Sequence, residues 1–195
     1  MDDGFTGDDL QNMVSLQEVC TYLPPFKYTD LTKVDYAFYQ ARALPDTNKD
    51  WGWVPYILPE CTSLDNAFYR VAQIPQSDGV DTSEFPQLQT SDKLTNVQYC
   101  FYLAGIDSFV NKDGNKTYKP FTDTSAVTDF DYAFGTIGID TPDSLEVDTS
   151  AAISLKGTFS GINFVTVPAF STSNVKDWSS TFYACTTLEL SLIHI

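Results

Sequence analysis

An eight-residue word recurs along this chain: VDYAFYQA at 34–41, LDNAFYRV at 64–71 and VQYCFYLA at 97–104. Looser copies follow, and aligning all of them on one phenylalanine gives Phe38, Phe68, Phe101, Phe134, Phe159 and Phe182, at spacings of 30, 33, 33, 25 and 23. A repeat this short cannot enclose its own apolar side chains, so each copy must be covered by the copies on either side. The recurrence therefore demands a stack of units before any residue is assigned a shape.

Four positions before the anchor stand Val34, Leu64, Val97, Phe130, Leu155 and Trp178, and seven before it Leu31, Cys61, Leu94, Val127, Ala152 and Val175. With the six phenylalanines, the residues at minus four form the expected repeat core. Apolar residues at i, i+3 and i+7 are one stripe of a short helix, and Thr or Ser at its start (TDLTKV, TSDKLT, STSNVK) offers capping oxygens. The apolar stretches after the word (ARALP, AQIP, GIDSF, IGID, NFVTVPAF) read as brief strands. The fold class expected is an α/β repeat solenoid, leucine-rich-repeat-like, with short parallel strands on one face and short helices on the other. Tyr39, Tyr69, Tyr102 and Tyr183 follow the anchor, while a small residue always precedes it. The spacing predicts that the Tyr of one unit fits against the small residue of the next. Tyr36, Tyr99 and Tyr132, two places before the anchor, are expected as an outward row.

The phrase NVKDWSSTFYACTTLEL at 174–190 resembles the repeat of the BspA-like leucine-rich repeat proteins. Asn174, Val175, Phe182, Cys185 and Leu188 match that pattern, with Trp178 in the place of a Met; VTDFDYAF and LTNVQYCF are weaker copies. The resemblance runs from about residue 26 to 190. It implies a bacterial surface or secreted protein, located outside the cell or on its surface, or a phage tail protein, that serves adhesion and recognition. The start, MDDGFTGDDL, is acidic where an export signal needs a basic and then an apolar segment, so the expectation is either a protein not exported by that route or a start that is not the native one. Three segments are expected: a degenerate repeat or cap at 1–25, the repeat solenoid with insertions at 26–189, and an artefact at 190–195. The last reads LSLIHI, which matches the translation of a transposon end used in sequencing libraries, so the chain is expected to be a fragment; the alternative is an ordinary apolar strand.

Within that segment lies His194, the only histidine of the chain. Without an imidazole base, a Ser-His-Asp or Cys-His centre has no proton acceptor, and no histidine-built zinc site can form. The four cysteines show no CxxC pair, and Cys20, Cys61, Cys100 and Cys185 each occupy a repeat position, as buried structural thiols do. The charge of −15 repels nucleic-acid backbones and anionic bilayers, so neither nucleic acid nor membrane insertion is expected. No cofactor and no metal are expected; Asp78, Asp81 or Asp148 is a calcium alternative to a plain solubilising surface.

Function is sought in the insertions. Trp51, Trp53 and Tyr56, in DTNKDWGWVPYILPE, are the candidate ligand-binding residues, through sugar stacking or a protein anchor, against the plainer reading that they fold over a neighbouring unit. Asp113 and Gly114 mark a hairpin turn. The reading is a non-enzymatic recognition or adhesion module for a protein or glycan ligand. The alternatives are a receptor-binding or structural part of a phage tail and a glycan-processing enzyme.

Overall fold

In the computed structural model, residues 28–40, 56–71, 85–106, 117–137, 144–164 and 170–188 are described. The segments 1–27, 41–55, 72–84, 107–116, 138–143, 165–169 and 189–195 lie outside them, and with them the expected cap at 1–25, Cys20, most of the expected post-word strands, the turn at Asp113 and Gly114 and the expected artefact at 190–195.

The recurring words do not form helices. Among the described residues the only helical element is a 3₁₀ turn at Tyr28–Asp30, and the only strands are β1 (Thr117–Tyr118) and β2 (Ser144–Leu145), paired in parallel. Among the described residues no solenoid of strands and helices is present, and the expected α/β, leucine-rich-repeat-like class is overturned. The reason is visible in the backbone of each word. In the Phe68 unit the N–H of Ala67 bonds to Leu64 O at 3.1 Å and that of Val71 to Phe68 O at 3.1 Å, while Asn66 and Arg70, each third in its turn, have φ of 54° and 50°. A three-residue closure with positive φ at the third place is a type II turn. Two such turns, end to end, occupy the space assigned to a helix.

The same pair recurs in all six units, with positive φ two places before and two after the anchor: Tyr36 and Gln40, Tyr99 and Leu103, Tyr132 and Thr136, Gly157 and Gly161, Ser180 and Ala184. For a side-chain-bearing residue this conformation costs about 1–2 kcal/mol, and only the Phe159 unit relieves it with glycine.

Hydrogen bonds between units supply the compensation. Each of the first five words donates four N–H groups, at minus four, minus two, zero and plus two, to the next word's carbonyls. The junction between the Phe101 and Phe134 units is Val97 to Asp129, Tyr99 to Asp131, Phe101 to Ala133 and Leu103 to Gly135, at 2.8 to 3.1 Å. One parallel ladder thus runs through Lys33, Ser63, Asn96, Asp129, Ser154 and Asp177. Every buried side-chain oxygen or nitrogen among the described residues has a partner; Thr158 and Thr181, for example, donate to Phe130 O and Leu155 O at 2.9 and 2.8 Å.

The core follows from this closure. Leu64, Phe68, Val97, Phe101, Phe130, Phe134, Leu155 and Phe159 are fully enclosed, and Val34 nearly so; Phe38 and Phe182 are half-buried and Trp178 is 38% exposed. The anchor rings stack along the column at centroid distances of 5.3 to 6.1 Å with planes within 18° of parallel. Tyrosines also stack on their own kind: Tyr39 on Tyr69 at 4.7 Å and Tyr69 on Tyr102 at 5.5 Å. The expected fit of Tyr against the small residue is corrected accordingly, because Ala67, Cys100 and Ala133 point into the core. The Tyr column ends where Gly135 takes its place; an added Cβ there would lie 2.8 Å from the Tyr102 ring.

Candidate functional site

The groups able to act as nucleophiles are the thiols, and the turn geometry decides which of them solvent can reach. Cys61 sits seven before its anchor, fully buried, with its Sγ donating to Ser63 O at 3.1 Å; burial pushes the thiol up to about 11. Cys100 sits just before its anchor, where the turn points the side chain inward, and burial holds it well above the ordinary thiol value. Cys185 differs. It closes the second turn of the last unit, where no further described unit covers it, and is half-buried. Its Sγ donates to Phe159 O at 3.1 Å, and the remaining burial raises its pKa, opposed by hydrogen bonding from the backbone at Ile162 and Gly161. All three are free thiols.

Carboxylates line the outer edge of the same turns. Asp35 accepts the Asp65 N–H at 3.0 Å, and Asp131 accepts the Lys156 N–H at 3.2 Å and the Ser154 hydroxyl. Burial raises Asp65, as the neighbouring Asp35 and Asp129 also do, while a bond from Asn66 opposes them. These groups hold adjacent units in register, and the Asp35 and Asp65 charges add to burial in raising the buried thiols of Cys61 and Cys100. Among the described residues no cluster of three or more His, Cys, Asp or Glu is placed to hold a metal. Of the calcium alternatives, Asp78 and Asp81 lie outside the described residues, and Asp148 accepts the Ser150 N–H at 2.8 Å as a turn cap. A hollow of 460 Å³ bordered by Gln87, Phe121, Asp123 and the Lys119–Glu146 ion pair contains none of the thiols.

The candidate ligand-binding residues are not brought together by what is described. Trp51 and Trp53 lie outside the described residues; Tyr56 is 39% exposed and its carbonyl accepts the Gln89 N–H at 2.6 Å, tying it to the following unit. The tyrosines, by contrast, do assemble. Tyr99 stacks on Tyr132 at 5.0 Å and meets Tyr102 edge-on at 5.5 Å, while the Arg70 guanidinium lies over the Tyr69 ring and the Lys156 ammonium over Tyr132. The expected outward row of Tyr36, Tyr99 and Tyr132 is thus interlocked with the tyrosines that follow the anchors.

Comparison with known proteins changes the functional reading. The profile of a family described as gill-associated viral 3C-like peptidase matches residues 79–192, a stretch that includes Cys100 and Cys185. No curated protein and no solved structure matches the chain. The match overturns the resemblance to BspA-like leucine-rich repeat proteins, and with it the bacterial surface-adhesion reading. It equally overturns the expectation of a non-enzyme, because the family is one of peptidases. The short apolar spacing that suggested a leucine-rich repeat is what paired type II turns produce as well, so the words carried no exclusive mark of that family. With more than half of its length matched, the chain belongs to the gill-associated viral 3C-like peptidase family.

Proposed function

We propose that the chain hydrolyses peptide bonds with Cys185 as its nucleophile. The observation that carries the reading is the family match across residues 79–192. Within that stretch Cys100 is sealed in the core, and Cys185 is the thiol a substrate can approach. Attack requires the thiolate; a base takes the Sγ proton, sulfur bonds to the scissile carbonyl carbon, the amine leaves with that proton, and water releases the acyl group from the thioester. The raised pKa of Cys185 and its bond to Phe159 O keep the thiol protonated until a base displaces that bond. No histidine lies among the described residues, and His194 is the one imidazole of the chain.

The test is cleavage of a fluorogenic peptide library, with alkylation by iodoacetamide followed by mass spectrometry. Turnover is expected to vanish in Cys185→Ala and to persist in Cys100→Ser. His194→Ala shows whether the base comes from the last segment of the chain. Absence of turnover in the unaltered protein, or turnover unaffected by Cys185→Ala, overturns the reading.

A further inference from the structure

Six tyrosines of the column form one continuous set of touching rings. Tyr36 meets Tyr39 at a centroid distance of 5.7 Å, Tyr39 lies on Tyr69 at 4.7 Å and Tyr69 on Tyr102 at 5.5 Å. Tyr102 then meets Tyr99 at 5.5 Å, and Tyr99 lies on Tyr132 at 5.0 Å. Two of these contacts join one repeat position to its copy in the next unit with nearly parallel planes: Tyr39 and Tyr69 at 13°, Tyr99 and Tyr132 at 7°. The backbone clamps both pairs. Around the first, the N–H groups of Phe38 and Gln40 bond to Ala67 O and Tyr69 O at 2.9 and 2.7 Å; at the second, those of Tyr99 and Phe101 bond to Asp131 O and Ala133 O, each at 2.8 Å. Two phenols held face to face in this way react with each other as if at very high concentration.

We propose that the two stacked pairs are sites of oxidative phenol coupling, Tyr39 to Tyr69 and Tyr99 to Tyr132, driven by hydrogen peroxide through a haem peroxidase. Each phenol gives up one electron and its hydroxyl proton and becomes a phenoxyl radical. The two radicals join through a bond between ortho ring carbons, and the hydrogen each of those carbons carried moves to its own ring's oxygen, restoring both hydroxyls. The two electrons and two protons released reduce one peroxide to two waters. Because the rings touch in sequence, an electron lost at any member is replaced from its neighbour, which carries the oxidation to the coupling pairs. Each link ties one unit to the next across 30 or 33 residues, closing a loop that the unfolded chain must also keep. The charge of −15 holds separate copies apart at low salt, so the links form within one chain.

Incubation with hydrogen peroxide and a haem peroxidase at low salt, followed by fluorescence and by fragment-ion mass spectrometry of the digested chain, tests this. The expected product has monomer mass, two hydrogens lighter for each link, and dityrosine emission. Its joined peptides connect Tyr39 with Tyr69 and Tyr99 with Tyr132. Tyr69→Phe keeps the ring and its stack but removes the phenol, and is expected to abolish the first link and leave the second; Tyr132→Phe does the reverse. Unfolding in urea before oxidation is expected to abolish both, which tests the geometry without any substitution. Absence of dityrosine from the folded chain, a predominance of other tyrosine pairs or of links between chains, or the same two links formed after unfolding overturns the proposal.

Discussion

The Phe134 unit and the Phe182 unit have the same backbone and different surroundings. Both carry two type II turns with positive φ at the same places, and both continue the ring column. Yet Phe130 and Phe134 are wholly enclosed, whereas Trp178 is 38% exposed and Phe182 half-buried. Burial here is conferred by neighbours on both sides, and a unit with a described neighbour on one side alone has the shape of the fold with less of its burial. The unit that most plainly displays the repeat pattern in sequence is the less buried of the two.

The largest expected effect tests that claim directly. Phe134→Ala should cost about 3–5 kcal/mol, the range for deleting an enclosed aromatic ring, and Phe182→Ala well under half of that, both read from urea midpoints. Equal losses would break the comparison, since they would mean that the end unit is covered as completely as the interior. Next in size is the contact at Gly157, whose φ is +61° and whose added Cβ would lie 2.3 Å from the Tyr132 ring. Gly157→Ala should cost about 2–3 kcal/mol, from the left-handed backbone and the displaced ring together. A neutral result would show that the tyrosine surface is not anchored on that glycine.

Smaller and opposite in sign is Thr136→Gly. Thr136 is exposed and β-branched at φ 53°, so glycine should stabilise by about 1 kcal/mol, visible as a higher melting temperature. The finest comparison is between two carboxylates at one repeat position, five before the anchor. Burial raises Asp129, with the nearby Asp131 charge adding to it and a bond from the Asp131 N–H opposing it; the hydroxyl and N–H of Ser179 lower Asp177. A raised native value means that the folded chain holds the extra proton, so Asp129 costs stability as pH climbs from ~4 through its native pKa. Asp177 contributes stability above ~4 and loses it as pH falls through its lowered native value. Asp129→Asn should therefore raise the urea midpoint at neutral pH and lose that advantage in acid. Asp177→Asn should lower it slightly at neutral pH, and identical responses would erase the distinction between interior and end.

The stacking of units and the identity of its interior rings were legible in the recurrence of Phe68, Phe101, Phe134 and Phe159. The shape of the unit was not. The two turns place minus four and zero on the inside and the turn before them, closed by the Cys61 N–H on Leu58 O, places minus seven there; a helix does the same, so Cys61, Leu64 and Phe68 fit either reading. Positive φ would have distinguished them, but Tyr99, Leu103 and Thr136 adopt it without the glycine or asparagine that usually announces it. Their strain is offset by ladder bonds to residues about thirty positions away, which a local pattern does not record. Of the site, the inward placing of Cys100 followed from its repeat position, while Cys185 was read as structural because its sequence position is as regular as the others. What sets Cys185 apart is that nothing described stacks beyond it.

The ladder also dictates how the molecule yields to tension. Pulled along the column, each junction is held by the four bonds between words together with bonds in the opposite sense such as the Thr95 N–H on Thr62 O, and opening it frees the chain between two anchors. At ~3.4 Å per residue, a 33-residue interval releases about 110 Å and the 23-residue interval about 80 Å, while the folded column gives up only ~5 Å per unit. The unequal loop lengths, invisible in the evenly spaced rings, would be written into a force–extension trace as steps of unequal size, and the sequence of step lengths would identify the end from which the column comes apart.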